Sequence, residues 1–128
     1  MAPTERARIL NRVADRLESH LAARGRGPRI VISDERAQAL ETGGGIKHAL
    51  PLLGDEPFLL VNGDIWTDYR FDNLPRSLDG LAHLVLVDNP AHHLQGDFAL
   101  QDGQVLNPSA GQPSLTYSGL ALLSPRLF

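Results

Sequence analysis

Residues 40–66 read LETGGGIKHALPLLGDEPFLLVNGDIW, and the organisation of the whole chain is worked out from this stretch. Near its end, Phe58, Leu59, Leu60 and Val61 form a continuous apolar run, the pattern of a strand covered on both faces. Asn62, Gly63 and Asp64 follow directly. Ligands of open α/β sheets collect at the carboxyl ends of strands. A carboxylate there, beside a glycine that leaves room, suits Mg²⁺, which keeps several waters and takes one or two protein carboxylates together with substrate phosphates. On its own, however, the tripeptide reads more readily as a turn.

Upstream, Gly43, Gly44 and Gly45 are expected to break regular structure before a helical pattern at Ile46, Ala49, Leu50 and Leu53. Pro51 should kink or end that helix. Three successive glycines let backbone approach a ligand closely, and a helix N-terminus offers free N–H groups to a base edge or an anion. The spacing is neither that of a dinucleotide fingerprint nor that of a phosphate-binding P-loop. A flexible loop is the plainer reading of the glycines alone.

Further out, Arg29 to Ile32 reads as a short strand, and Ser33 to Thr42 as the polar loop leaving it. Leu81 to Val87 is a further apolar run, with a short helix expected over Asn73 to Leu78. Strands alternating with helices predict a Rossmann-like α/β fold, a mainly parallel sheet with crossover helices. Asp97 to Leu100 and Gln104 to Leu106 flank Asp102-Gly103, a hairpin signal. Leu115 to Leu123 is another strand, and Ser124-Pro125 is expected to open a helix. At the other end Leu10, Val13, Ala14, Leu17 and Leu21 share one helical face, with Thr4 and Gly25 as its limits.

A length of 128 residues fits one domain, and 42% hydrophobic with 21% charged residues is ordinary globular composition. The chain has no cysteine, which excludes disulfides and thiolate chemistry and fits a cytoplasmic address. No apolar run suits a membrane span. Residues 1–29 hold seven arginines against three acidic residues, and the remainder five basic against twelve acidic. Arg6, Arg8, Arg12 and Arg16 interleave with the apolar stripe and read as a solvated helix face. No aromatic platform or second basic cluster speaks for nucleic acid.

Among other chemistry-bearing residues, the adjacent His92 and His93 point apart on a strand and read as surface histidines. Ser118 lacks the setting of a hydrolase nucleophile. Trp66, Tyr69 and Phe71 are expected to fill the core edge, and Asp68 to be a turn carboxylate. Lys47 reads as solvent-facing.

Together, ETGGG and LLVNGD at this separation resemble the central core of the sugar-1-phosphate nucleotidyltransferases. The likeness is greatest to the branch that uridylylates N-acetylmuramate 1-phosphate in peptidoglycan recycling. It continues through GLAHLVLVDNPAHHLQGDF at 80–98 and TYSGLALLSPRLF at 116–128. The resemblance implies uridylyl transfer from UTP to a sugar 1-phosphate, releasing pyrophosphate and forming a nucleotide sugar. It implies Thr42, Gly43, Gly44 and Gly45 against the base, Asn62 and Gly63 beside the nucleotide, and Asp64 as catalytic Mg²⁺ ligand. Gly96, Asp97, Ser118 and Gly119 fall on the sugar side.

Family members also carry a Gly-rich, Arg-containing loop and a later Pro-Lys near the N-terminus, and a second metal-binding aspartate near the C-terminus. Residues 1–29 do not match the former, Arg24 to Pro28 being similar only superficially, and the latter would fall beyond Phe128. The expectation is therefore a partial nucleotidyltransferase domain over 1–128. Guanylyl or thymidylyl transfer is the alternative within the class. A non-catalytic remnant that binds nucleotide or sugar is the alternative outside it.

Overall fold

The computed structural model describes residues 16, 17, 19–21, 23, 27, 29–35 and 40–128. Two compact units divide the chain, Met1–Asp34 and Glu35–Phe128. In the first, Arg16, Leu17, Ser19, His20 and Leu21 are helical; the rest of the expected amphipathic stripe and both its limits lie outside the described residues. Ile30, Val31 and Ile32 were expected to form a strand. They carry no strand assignment and are 43%, 48% and 50% exposed. A β-prone run becomes a strand only when another strand satisfies its backbone groups, and none among the described residues does.

In the second unit the helix α1 spans Glu41–Leu53. It begins earlier than the glycines suggest: Gly43, Gly44 and Gly45 lie inside its first turns rather than before it. Helix continuity needs only helical dihedrals, which glycine tolerates at a cost of about 1 kcal/mol relative to alanine. Pro51 sits near the C-terminal end, and the helix closes three residues later at Gly54, whose N–H reaches the Leu50 carbonyl at 3.1 Å.

Five strands follow: β1 (Phe58–Val61), β2 (Ala82–Val87), β3 (Ala99–Gln101), β4 (Gln104–Leu106) and β5 (Thr116–Leu123). The sheet order is β1-β5-β2, and both pairings are antiparallel. This departs from the expected mainly parallel sheet. β1 and β2 do run in the same direction, as the alternation of strand and crossover implied, but β5 is inserted between them with opposite sense. Chain order gives a strand's direction more readily than its neighbour. The short helix expected over 73–78 is instead a 3₁₀ turn at Phe71–Asn73.

The insertion decides where the core lies. Among the described residues Leu120, Ala121 and Leu123 of β5 and Ala99 of β3 are the buried apolar ones. β1 alternates between half-buried and exposed, Leu59 at 40% and Val61 at 45%, so it is not covered on both faces. Leu120 is the largest fully buried side chain; truncating such a leucine to alanine costs roughly 2–5 kcal/mol.

The hairpin β3–β4 forms as its Asp-Gly turn predicts, with φ of 51° at Asp102 and 77° at Gly103. Its base is tied to the start of β5 by the Phe98–Leu115 bridge. After β5, Ser124 Oγ accepts from Arg126 N–H at 3.3 Å and opens the 3₁₀ turn Pro125–Leu127.

Candidate functional site

β5 is irregular where it matters. Leu84 pairs with Ala121 but Leu86 pairs with Tyr117, so β5 carries two extra residues between those points. Gly119 lies in this bulge with φ of 86°. Bulges of this kind re-aim a strand, and a positive φ favours glycine.

The turn after β1 docks onto that bulge. Asn62 N–H donates to the Gly119 carbonyl at 2.9 Å. A Cβ at Gly119 would lie 2.9 Å from Ile65 Cγ2 and 3.1 Å from Asn62 Cβ. Asn62 and Ile65, which bracket Gly63 and Asp64, are thereby held against Gly119, so two segments far apart in sequence meet. Asp64 is exposed, and among the described residues no hydrogen bond or ion pair engages its carboxylate. Gly63 has nothing within 4 Å of where a Cβ would be.

Gly96 and Asp97 lie beside the start of the same strand, at Tyr117, two residues before Gly119. Asp97 Oδ2 accepts the Tyr117 N–H at 2.8 Å, and Oδ1 lies 3.1 Å from His93 Nε2. The Tyr117 backbone bond, with the hydrogen bond and charge of His93, holds the Asp97 carboxyl below its usual range against the opposing effect of burial. Burial pushes the Tyr117 phenol up. Both oxygens of Asp97 are therefore committed to the protein's own backbone and to His93, which makes it a support for the loop.

Asn89, which no motif singled out, ties this region together. Its Nδ2 donates to the carbonyls of Leu94 at 3.1 Å and Ser114 at 3.0 Å, while its Oδ1 accepts from Thr116 Oγ1 at 2.9 Å. Ser114 Oγ donates to the Gln95 carbonyl. Gly96, with φ of 58°, packs so closely that a Cβ would meet Asn89 Oδ1 at 2.6 Å. The sequence held one hint of this network, the four-residue spacing of His93 and Asp97, where His93 had been read as a surface residue.

The start of α1 is arranged differently. Leu40 occupies the cap position and offers no side-chain cap. Its own N–H donates to Glu35 Oε2 at 2.8 Å, and Glu35 Oε1 lies against Gly45. Glu41 adopts a φ of 59°, the left-handed region that non-glycine residues enter at a cost of roughly 1–2 kcal/mol. Thr42 and Gly43 are exposed, and Gly43 again has open space around it. Lys47 is exposed, as expected.

Trp66 does not fill a core edge: it is 91% exposed, and Phe71 is 50% exposed. Tyr69 and Phe71 meet edge to face at 6.4 Å. A loop of this polarity has little apolar surface beneath it to cover two aromatic rings and an indole. Asp68 is exposed. Among the described residues no group of three or more His, Asp or Glu side chains is gathered as a metal cluster, and no helix is long and apolar enough to cross a membrane.

This α/β domain thus presents a free carboxylate on a turn docked beside a bulged strand, and comparison with known proteins shows what the chain is similar to. The chain is similar to two N-acetylmuramate alpha-1-phosphate uridylyltransferases. It is 44% identical over 110 residues to the N-acetylmuramate alpha-1-phosphate uridylyltransferase of Neisseria meningitidis serogroup B, across 80% of this chain and 47% of that one. It is 42% identical over 129 residues to the N-acetylmuramate alpha-1-phosphate uridylyltransferase of Caulobacter vibrioides, across 89% of this chain and 53% of that one. The chain thus spans about half the length of the relatives it matches. No family model matches it.

Proposed function

We propose that this chain carries the base-binding and acceptor-side surfaces of a uridylyltransferase that joins UTP to N-acetylmuramate 1-phosphate. A phosphate oxygen of the sugar phosphate attacks the α-phosphorus of UTP. The bond from that phosphorus to the bridging oxygen breaks, and pyrophosphate leaves with the electron pair. Such a reaction depends on alignment and charge neutralisation more than on proton transfer. On this reading the protein works in the cytoplasm and makes a nucleotide sugar for peptidoglycan recycling.

The observation that carries the reading is the docking of the Asp64 turn onto Gly119, because it joins the nucleotide-side and sugar-side residues in one surface. Asp64 would hold Mg²⁺. Its free, exposed carboxylate fits an ion that takes few protein ligands and completes its shell with water and phosphate oxygens. When bound, the ion supplies positive charge beside the phosphates. Asn62 and Gly63 set the height of that carboxylate above β1, and Gly63 leaves the approach open.

At the start of α1, residues 42–45 receive the base. The Glu35 carboxylate already lies at this helix end, and like charges repel. An uncharged base edge therefore fits the site better than a phosphate. On the acceptor side, Asp97 and Asn89 hold the loop bearing Gly96, and Ser118 with Gly119 belong to the bulge that meets the turn carrying Asp64.

The test is pyrophosphate release from UTP and N-acetylmuramate 1-phosphate with Mg²⁺, alongside calorimetric binding of UTP and GTP. Asp64→Asn is expected to lower turnover by roughly a hundredfold, the scale for removing one stabiliser of developing charge. UTP should bind more tightly than GTP. Unchanged turnover would sink the role of Asp64, and equal affinities would sink the base preference.

A further inference from the structure

We infer that Glu35 is the positioning residue of the base site: its carboxylate caps α1 from outside the helix and fixes residues 42–45 in their receiving geometry. The inference rests on the reading of those residues as base-binding.

Four observations lead to it. First, α1 starts without a side-chain cap of its own, since Leu40 occupies the cap position. The first N–H groups of a helix lack intrahelical partners and need an outside acceptor. Second, Glu35 supplies one, with Oε2 2.8 Å from the Leu40 nitrogen. The acceptor comes from five residues upstream, and its carboxylate also complements the positive end of the helix dipole.

Third, the other oxygen has a cradle. Glu35 Oε1 occupies the space where a Cβ on Gly45 would stand. Gly45 is helical and its φ is not positive, so its backbone does not require glycine. A Cβ there would instead displace the neighbouring carboxylate, the movable end of a flexible side chain. Fourth, Glu41 enters the helix with φ of 59°. A residue held in that region persists only where its surroundings over-determine it, and Glu35 fixes the backbone immediately before it.

The consequence for binding is specific. With Glu35 in place, the free amides of Thr42 and Gly43 are aligned before any ligand arrives. Without it they must be ordered by the ligand, which weakens affinity. Loss of charge alone should matter less than loss of the acceptor, so glutamine should substitute in part. The cradle also reverses a normal expectation. Gly→Ala inside a helix ordinarily stabilises it, but Gly45→Ala displaces the Glu35 carboxylate and should mimic its removal.

The experiment measures amide hydrogen exchange over residues 40–45 and UTP affinity in the parent chain, Glu35→Ala, Glu35→Gln, Gly45→Ala and the Glu35→Ala/Gly45→Ala double variant. Exchange at Leu40 and the glycine turn should accelerate in Glu35→Ala and Gly45→Ala, with UTP binding roughly fivefold to tenfold weaker, on the scale of a lost N-terminal cap. Glu35→Gln should lie close to the parent. The double variant should be no worse than the more affected single one, as for two changes that remove one interaction. Unchanged exchange in Glu35→Ala overturns the capping role. Faster exchange with undiminished UTP affinity overturns the positioning role. If the parent itself binds no UTP while its Leu40 amide is protected, the base-site reading is what fails, and the positioning role falls with it.

Discussion

The glycines of the two sides of the site answer to different demands. Gly96 and Gly119, on the proposed acceptor side, have positive φ and neighbours within 3 Å of any added Cβ. Gly43 and Gly63, on the proposed nucleotide side, have ordinary φ and open space. The fold itself requires glycine at the first pair and does not require it at the second. A glycine that the protein has no internal need for is the kind that leaves room for something outside it. Gly45 stands apart from both, since it is reserved for a side chain of the same chain.

The contrast can be broken most forcefully at Gly119. Gly119→Ala combines left-handed strain with a clash against Ile65 and Asn62, and should cost about 2–4 kcal/mol in urea unfolding. A loss well below 1 kcal/mol would mean that the bulge relaxes freely and the Asp64 turn is not held by it. Gly43→Ala and Gly63→Ala should be milder. Stability should change by no more than about 1 kcal/mol, and Gly43→Ala should if anything gain from helix propensity. Their effect should appear in UTP affinity instead. If both variants bind UTP as the parent does, these open glycines are not kept for a ligand.

The smallest effect concerns Asp97. Its carboxyl is held below the ordinary value in the folded protein, first by the Tyr117 N–H. A carboxylate with a depressed folded pKa contributes stability that is present above the unfolded pKa, about 3.9. That contribution is lost as pH falls through the folded value. Urea midpoints followed from pH 6 down to pH 3 should therefore decline more steeply in the parent than in Asp97→Asn. Because Asp97 is exposed, the difference should be modest. Identical slopes would show that the Asp97 contacts contribute nothing to the folded loop.

Local signals were read correctly where a few neighbouring residues decide the outcome. Asp102-Gly103 specified its hairpin because a two-residue turn with both φ positive tolerates little else. Ser124-Pro125 specified its helical turn for a similarly local reason. The errors came from partners distant in sequence. Glycines at 43–45 were read as a break, but Glu35 caps the helix that includes them. The apolar run at Phe58–Val61 was read as fully covered, but coverage went to β5, which separates β1 from β2. Asp64 is singled out by motif, whereas Asn89 is not, because an asparagine that bonds two carbonyls and a hydroxyl leaves no spacing to read.

The placement of β5 also bears on how the molecule comes into being. Phe58 pairs with Leu123 and Ala82 with the same residue, so the central strand of this sheet is the last of the three to leave the ribosome. Until it emerges, neither outer strand has its neighbour, and the turn bearing Asp64 has nothing to lean on. Sheets joined by such distant pairings assemble late and slowly. Here the strand that completes the core and the one that supports the Asp64 turn are the same, so the two are finished in a single step.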